Sequence, residues 1–116
     1  MYYYIHMANP IKLIIFPVKD ADKAKTLYNA FLGVEPYADS PYYIGYKVGD
    51  LEVGLVPNSQ DLVNYIDVED IQGSIKELEA AGATLYTDVK NVGGGLIVAA
   101  VKDADGNILG LRQQPK

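Results

Sequence analysis

A chain of 116 residues with 49% hydrophobic and 22% charged side chains can bury one core, and no apolar run in it approaches the ~20 residues that a bilayer demands. Fifteen carboxylates against ten lysines and arginines give a formal net charge of -5, which repels nucleic-acid phosphate and tolerates a cationic small molecule. Cysteine is absent, so disulfides, a thiolate nucleophile and cysteine-held metals are excluded, and the cytoplasm is the expected compartment.

The opening Met1-Tyr-Tyr-Tyr-Ile-His-Met7 lacks the basic start, long apolar stretch and cleavage site of a secretory signal. Met7 is an alternative start, so residues 1–10 are read as a leader or disordered N-terminus and residues 11–116 as a single domain. The one histidine, His6, falls in that opening.

From Ile11 to Val18 the run is β-branched, aromatic and of strand length. Asp20 then caps a helix whose Ala24, Leu27, Tyr28 and Phe31 follow helical spacing, with Gly33 closing it. Residues 35–41, with two prolines, read as a loop. Tyr42 to Val48 and Leu51 to Val56 form a hairpin about Gly49-Asp50, and residues 57–61 form a linker. The plan then restarts. Val63 to Val68 is a strand, and Asp70 opens a helix with Ile71, Ile75 and Leu78 on one face and Gly82 at its end. Thr84 to Thr87, Leu96 to Lys102 and Asn107 to Arg112 are the closing strands. Val18-Lys-Asp20 precedes Val68-Glu-Asp70 by about 50 residues, and the helix-ending glycines keep nearly that offset. The chain is therefore two modules, 11–58 and 62–113, each a strand, a helix and a three-strand meander.

Two βαβββ copies in this length, with the closing Asp103-Ala-Asp-Gly-Asn-Ile-Leu-Gly-Leu111 strand, resemble the vicinal oxygen chelate superfamily, the glyoxalase, bleomycin resistance and extradiol dioxygenase group. The resemblance covers Ile11 to Gln113. It implies an α+β fold in which two tandem βαβββ modules form a curved sheet around a concave cavity with the helices outside, and it implies a homodimer. In metal-dependent members a divalent ion is held by a His, Gln or Glu early in the first strand of each module and by a Glu in each module's last strand. Those positions fall here at Leu13, Val63, Gly54 and Gly110. None offers a ligand atom, so no metal and no cofactor is expected.

Strand alternation gives the cavity wall separately. If Ile14, Phe16 and Val18 lie under the first helix, Leu13, Ile15 and Pro17 face the concave side. So do Val63, Tyr65 and Asp67, and on the last strands Glu52, Gly54, Ile108, Gly110 and Arg112. Ten tyrosines against two phenylalanines supply flat apolar faces with polar tips. Tyr37 and Tyr43 are assigned to the cavity, whereas Tyr28, Tyr42 and Tyr46 are read as sheet packing. Gly93-Gly-Gly95 reads as a mobile loop and candidate lid, since it lacks the helix start and lysine of a phosphate loop. Asp103-Ala-Asp-Gly106 is a hairpin turn, not a calcium loop. No serine has a histidine partner within the domain, and Glu52 with Asp67 would be the only acid–base candidates.

The expected function is metal-independent binding of a small organic molecule, with drug-sequestering resistance proteins as the nearest analogue. Tyr65 beside Asp67 suggests a planar and cationic ligand, with Glu52, Tyr43, Tyr37, Leu13, Ile15 and Arg112 as the other contacts. The alternatives are a lyase, isomerase or dioxygenase-like enzyme of the same superfamily, and a regulatory or structural dimer whose cavity is vestigial.

Overall fold

The computed structural model describes residues 8–116; the histidine and most of the expected leader lie outside them. Residues 8–10 are exposed and carry no regular structure. In chain order the elements are β1 (Ile11–Val18), α1 (Ala21–Leu32), β2 (Ala38–Asp39), β3 (Ile44–Val48), β4 (Leu51–Pro57), β5 (Val63–Asp67), α2 (Ile71–Ala80), β6 (Thr84–Asn91), β7 (Ile97–Lys102) and β8 (Ile108–Gln113). The two βαβββ modules are thus both present.

Each helix starts and stops for a local reason. The Asp20 carboxylate accepts from the Lys23 backbone N–H at the start of α1, and Gly33 ends it at φ 74°, where its own N–H reaches the Asn29 carbonyl. Asp70 caps α2 through Gly73 in the same way. At its far end Ala83 N–H reaches Leu78 and Gly82 N–H reaches Glu79, a paired closure that needs the positive φ of Gly82.

The strands form one eight-stranded open sheet in the order β2-β3-β4-β1-β5-β8-β7-β6. Within each module the first and last strands run parallel, β1 with β4 and β5 with β8, and the antiparallel β1–β5 ladder joins the modules. Register confirms the duplication. Ile15 faces Gly54 and Tyr65 faces Gly110, while Pro17 faces Val56 and Asp67 faces Arg112. Ile14 and Asn64, equivalent by the same offset, face each other in the β1–β5 ladder. The modules are therefore related by an approximate two-fold axis through that point.

Two cores lie on the convex side, one under each helix. Ile44, Tyr46, Val53 and Leu55 gather Phe16, Val18, Ala24 and Tyr28 beneath α1. Ile71, Ile75, Ala99 and Leu111 gather Ile66, Val68 and Leu78 beneath α2. Each fully buried aliphatic side chain contributes roughly 1.5–3 kcal/mol. Tyr46 is wholly buried and fixes α1 by donating its hydroxyl to Asn29 Oδ1 at 2.6 Å.

Four local readings change. The third meander strand of module one, to which the sequence assigned no residues, is the short β2 inside the expected loop 35–41, where Ala38 and Asp39 pair with Gly45 and Ile44. β6 continues past Thr87 to Asn91, its ladder to β7 surviving two register shifts. The helix face is rotated: Ala21, Ala24, Tyr28 and Leu32 pack on the sheet, leaving Leu27 and Phe31 at 64% and 77% exposure. Tyr42, expected in sheet packing, is 81% exposed because it precedes β3 in the loop.

Candidate functional site

The concave face of the sheet encloses a cavity of about 750 Å³. Its floor is built by the two central strands, which alternate so that Leu13, Ile15, Val63 and Tyr65 point inward while their neighbours pack beneath the helices. β8 adds Ile108 and Arg112, β4 adds Glu52 and Val56, and β7 adds Val98 and Ala100. Tyr37 and Tyr43 close one flank; Asp61, Tyr86, Lys90, Val92 and Leu96 form the other. Val98 and Ala100 were readable from the alternation of β7, but the second flank was not, since it depends on how β6 folds back over the face.

The tyrosines explain the glycines. Gly54 and Gly110, where metal-dependent relatives of this plan carry glutamates, have ordinary strand φ values, unlike Gly33 or Gly82. Their need for glycine is one of space. A Cβ at Gly54 would lie 2.6 Å from the Tyr43 hydroxyl, and a Cβ at Gly110 would lie 2.5 Å from Tyr65 Cδ1. Gly45, paired with Gly54 across β3–β4, is covered by Tyr37 and Tyr43 in the same manner, with contacts of 2.8 Å. Aromatic rings lying on strand glycines fill the missing side-chain volume and support the sheet. They also occupy the space into which metal-ligand glutamates would project. With Leu13 and Val63 at the other two positions, the residues do not fit a metal ion. Among the described residues no three His, Asp or Glu side chains cluster to form one elsewhere.

One end of the cavity is polar. The Arg112 side chain, about 10% exposed, donates from Nε to Asp67 Oδ1 at 2.7 Å, and its Nη2 lies 3.6 Å from Glu52 Oε2. Tyr37 donates its hydroxyl to Glu52 Oε1 at 2.7 Å. Glu52 and Arg112 stand on β4 and β8, with β1 and β5 between them in the sheet. Their side chains meet only because the sheet curves strongly, so this ion pair spans the cavity from one module to the other. Burial alone would push the Arg112 pKa down, but Asp67 and Glu52 outweigh it and raise it. Burial raises all three tyrosines. For Tyr37 the Glu52 hydrogen bond adds to burial, for Tyr43 the Tyr37 hydroxyl opposes it, and for Tyr65 Arg112 opposes it. They are neutral phenols at physiological pH.

These facts sort the expected site residues. Leu13, Ile15, Tyr37, Tyr43, Glu52, Tyr65 and Arg112 line the cavity together. Asp67 and Pro17 do not. Asp67 was expected to face the cavity as an anion beside Tyr65, but Arg112 faces it directly across the β5–β8 ladder and the two side chains pair. Glu52 is likewise engaged, by Tyr37 and Arg112. Gly93, Gly94 and Gly95 all have positive φ and form a turn closed by Val92 N–H to Leu96 O and Leu96 N–H to Gly93 O, so this loop is a hydrogen-bonded hairpin end beside the cavity. At the other turn Asp103 Oδ1 accepts from the Asp105 and Asn107 backbones, leaving its carboxylate committed to the turn itself. No helix among the described residues is long and apolar enough to cross a membrane.

No family model matches the chain, and no curated protein matches it. Solved structures do. A hypothetical protein from Bacillus halodurans C-125 aligns with a TM-score of 0.77 at 16% identity, covering 95% of this chain and 97% of that one. A glyoxalase/bleomycin resistance protein/dioxygenase superfamily member from Vibrio splendidus 12B01 aligns at 0.69 and 17% identity, covering 88% and 97%. The Streptomyces coelicolor methylmalonyl-CoA epimerase aligns at 0.70 and 14% identity, covering 93% and 99%. The chain has the vicinal oxygen chelate fold, the fold of these structures.

Proposed function

We propose that this chain is a metal-independent small-molecule binding protein that holds a planar organic ligand in the cleft between its modules and acts as a homodimer. The observation that carries the reading is the placement of Tyr43 and Tyr65 over Gly54 and Gly110, which gives the site aromatic surfaces where a metal centre would need carboxylates. A cavity of about 750 Å³ with an apolar floor and a few polar groups at one end has the size and character of a ligand site. Because Arg112 pairs with both Asp67 and Glu52, these two carboxylates are largely offset, and the ligand need not be a cation. The dimer is supported by Leu27 and Phe31, large apolar side chains one turn apart and exposed on α1.

A second reading, an acid–base isomerase or lyase using Glu52, draws on the same wall, where Glu52 is within reach of a bound molecule and Tyr37 holds it in place. A thermal-shift screen of planar organic compounds, run on wild type and Tyr65→Ala, tests the binding reading. Ligands present at a hundred times their dissociation constant add about 2.7 kcal/mol of stability. Hits that persist in a Tyr65→Ala protein that is folded, or the absence of any hit across the screen, would remove the reading. Turnover of a hit to a product that Glu52→Gln fails to make would favour the enzyme.

A further inference from the structure

The polar end of the cavity has a specific chemical signature. Arg112 spends Nε and Nη2 on Asp67 and Glu52. Among the described residues its Nη1 donates to no protein acceptor, and no buried side-chain nitrogen or oxygen lacks a partner; Nη1 is therefore solvent-accessible in a residue that lines the cavity. On the facing strand, Glu52 Oε1 is taken by the Tyr37 hydroxyl, while Oε2 has only the long 3.6 Å approach of Nη2. The cavity thus presents one open donor and one open acceptor a few ångströms apart, at the edge of a surface made by the Tyr43 and Tyr65 rings. Two carboxylates flank one guanidinium, so a ligand edge placed there meets both signs of charge at close range. An anionic group is opposed by Glu52 and Asp67, and a cationic group by the Arg112 nitrogen it must approach.

Resting on the binding reading, we propose that the cavity selects a neutral planar ligand whose edge carries a hydrogen-bond acceptor next to an N–H donor, as in an aromatic carboxamide or lactam. The ring lies against Tyr65 and Tyr43, the carbonyl oxygen accepts from Arg112 Nη1, and the N–H donates to Glu52 Oε2. A carboxylate keeps the acceptor and adds a like charge beside Glu52. An ammonium keeps donors and has no acceptor for the guanidinium. A tertiary amide keeps the acceptor and loses the donor.

The experiment is calorimetric titration of the wild-type protein at pH 7 with a matched series: 2-naphthamide, 2-naphthoate, 2-naphthylmethylamine and N,N-dimethyl-2-naphthamide. The expected order places 2-naphthamide first, ahead of each of the others by at least about tenfold in dissociation constant. In Glu52→Gln the neighbouring negative charge is gone, and the advantage of the amide over the carboxylate shrinks by about tenfold or reverses. Carboxylate or ammonium binding as tightly as the amide, or a tertiary amide equal to the primary one, overturns the inference while leaving the binding reading intact. If no member of the series binds, this inference falls, and the binding reading stands or falls on the thermal-shift screen. The tertiary amide comparison needs only the wild-type protein, so a Glu52→Gln variant that fails to fold does not protect the claim.

Discussion

Replacing Gly110 by alanine tests the central packing arrangement. The backbone there is ordinary strand, so alanine introduces no conformational strain. The added methyl would instead lie 2.5 Å from Tyr65 Cδ1, 2.7 Å from Cε1 and 2.8 Å from Cγ, against a comfortable carbon–carbon separation of roughly 3.5–4.0 Å. The ring must retreat by on the order of 1 Å, and its free side is the cavity, so the expected destabilisation is about 1–3 kcal/mol, the usual range for overpacking. For a domain of this size that corresponds to a melting temperature lower by roughly 3–15 °C. Tyr65→Ala removes a half-buried ring and is destabilising in its own right by about 1–2 kcal/mol, part of the 3–5 kcal/mol for a fully buried aromatic. In the double variant the alanine methyl enters vacated space, so the second substitution adds nothing to the first. Urea unfolding of the four proteins, with unchanged denaturant dependence, should give a coupling energy nearly equal to the whole effect of Gly110→Ala. Additivity within about 0.5 kcal/mol, or a Gly110→Ala protein as stable as wild type, would show that the Tyr65 ring does not rest on Gly110.

Asp67→Asn should destabilise by about 1–2 kcal/mol, because Arg112 loses its best partner while the partial exposure of Asp67 screens the pair; urea unfolding in low and high salt checks this, with the difference narrowing as salt rises. A Gly54→Glu/Gly110→Glu protein should bind no stoichiometric Mn or Zn by elemental analysis, since Tyr43 and Tyr65 fill the space between the new carboxylates; metal uptake with both rings in place would contradict the packing. Asn107 and the turn backbone hold the Asp103 pKa below its ordinary value, so this carboxylate stabilises the fold above the unfolded value of about 3.9 and ceases to do so as pH falls through its lower folded value. Asp103→Asn should therefore lose less stability than wild type on acidification below about pH 4, read by acid unfolding; equal acid sensitivity would contradict the assignment.

What the sequence made readable follows from its periodicities. The duplicated strand, acid cap and terminal glycine fixed both modules, and strand alternation put Leu13, Ile15 and Tyr65 on the concave face, where they stand. The glycines at 54 and 110 were readable as missing ligands. That two tyrosine rings cover them was not, because ring placement depends on the neighbouring strand. Asp67 shows the same limit: alternation set its side, but its partner lies 45 residues away and is chosen by the β5–β8 register. On α1, Leu27 and Phe31 carried the hydrophobic signal of a core face although they are exposed, since the neighbouring stripe Ala21, Ala24, Tyr28 and Leu32 packs on the sheet instead, where Tyr46 also holds Asn29.

The approximate two-fold axis between Ile14 and Asn64 has been filled with unlike side chains. Where one module sets Asp67 against Arg112, the other sets Pro17 against Val56, and the counterpart of Tyr65 is Ile15. A frame that treats its two ends alike thus encloses a chamber with a head and a tail: a guest entering it meets the Arg112–Glu52 ion pair at one pole and Val56 and Ile108 where the repeat would put its counterpart. A molecule with its own mirror-like halves gains nothing from being turned around, whereas one that is polar at a single end is held one way only. The repetition supplies the walls, and the unlike side chains on it supply direction.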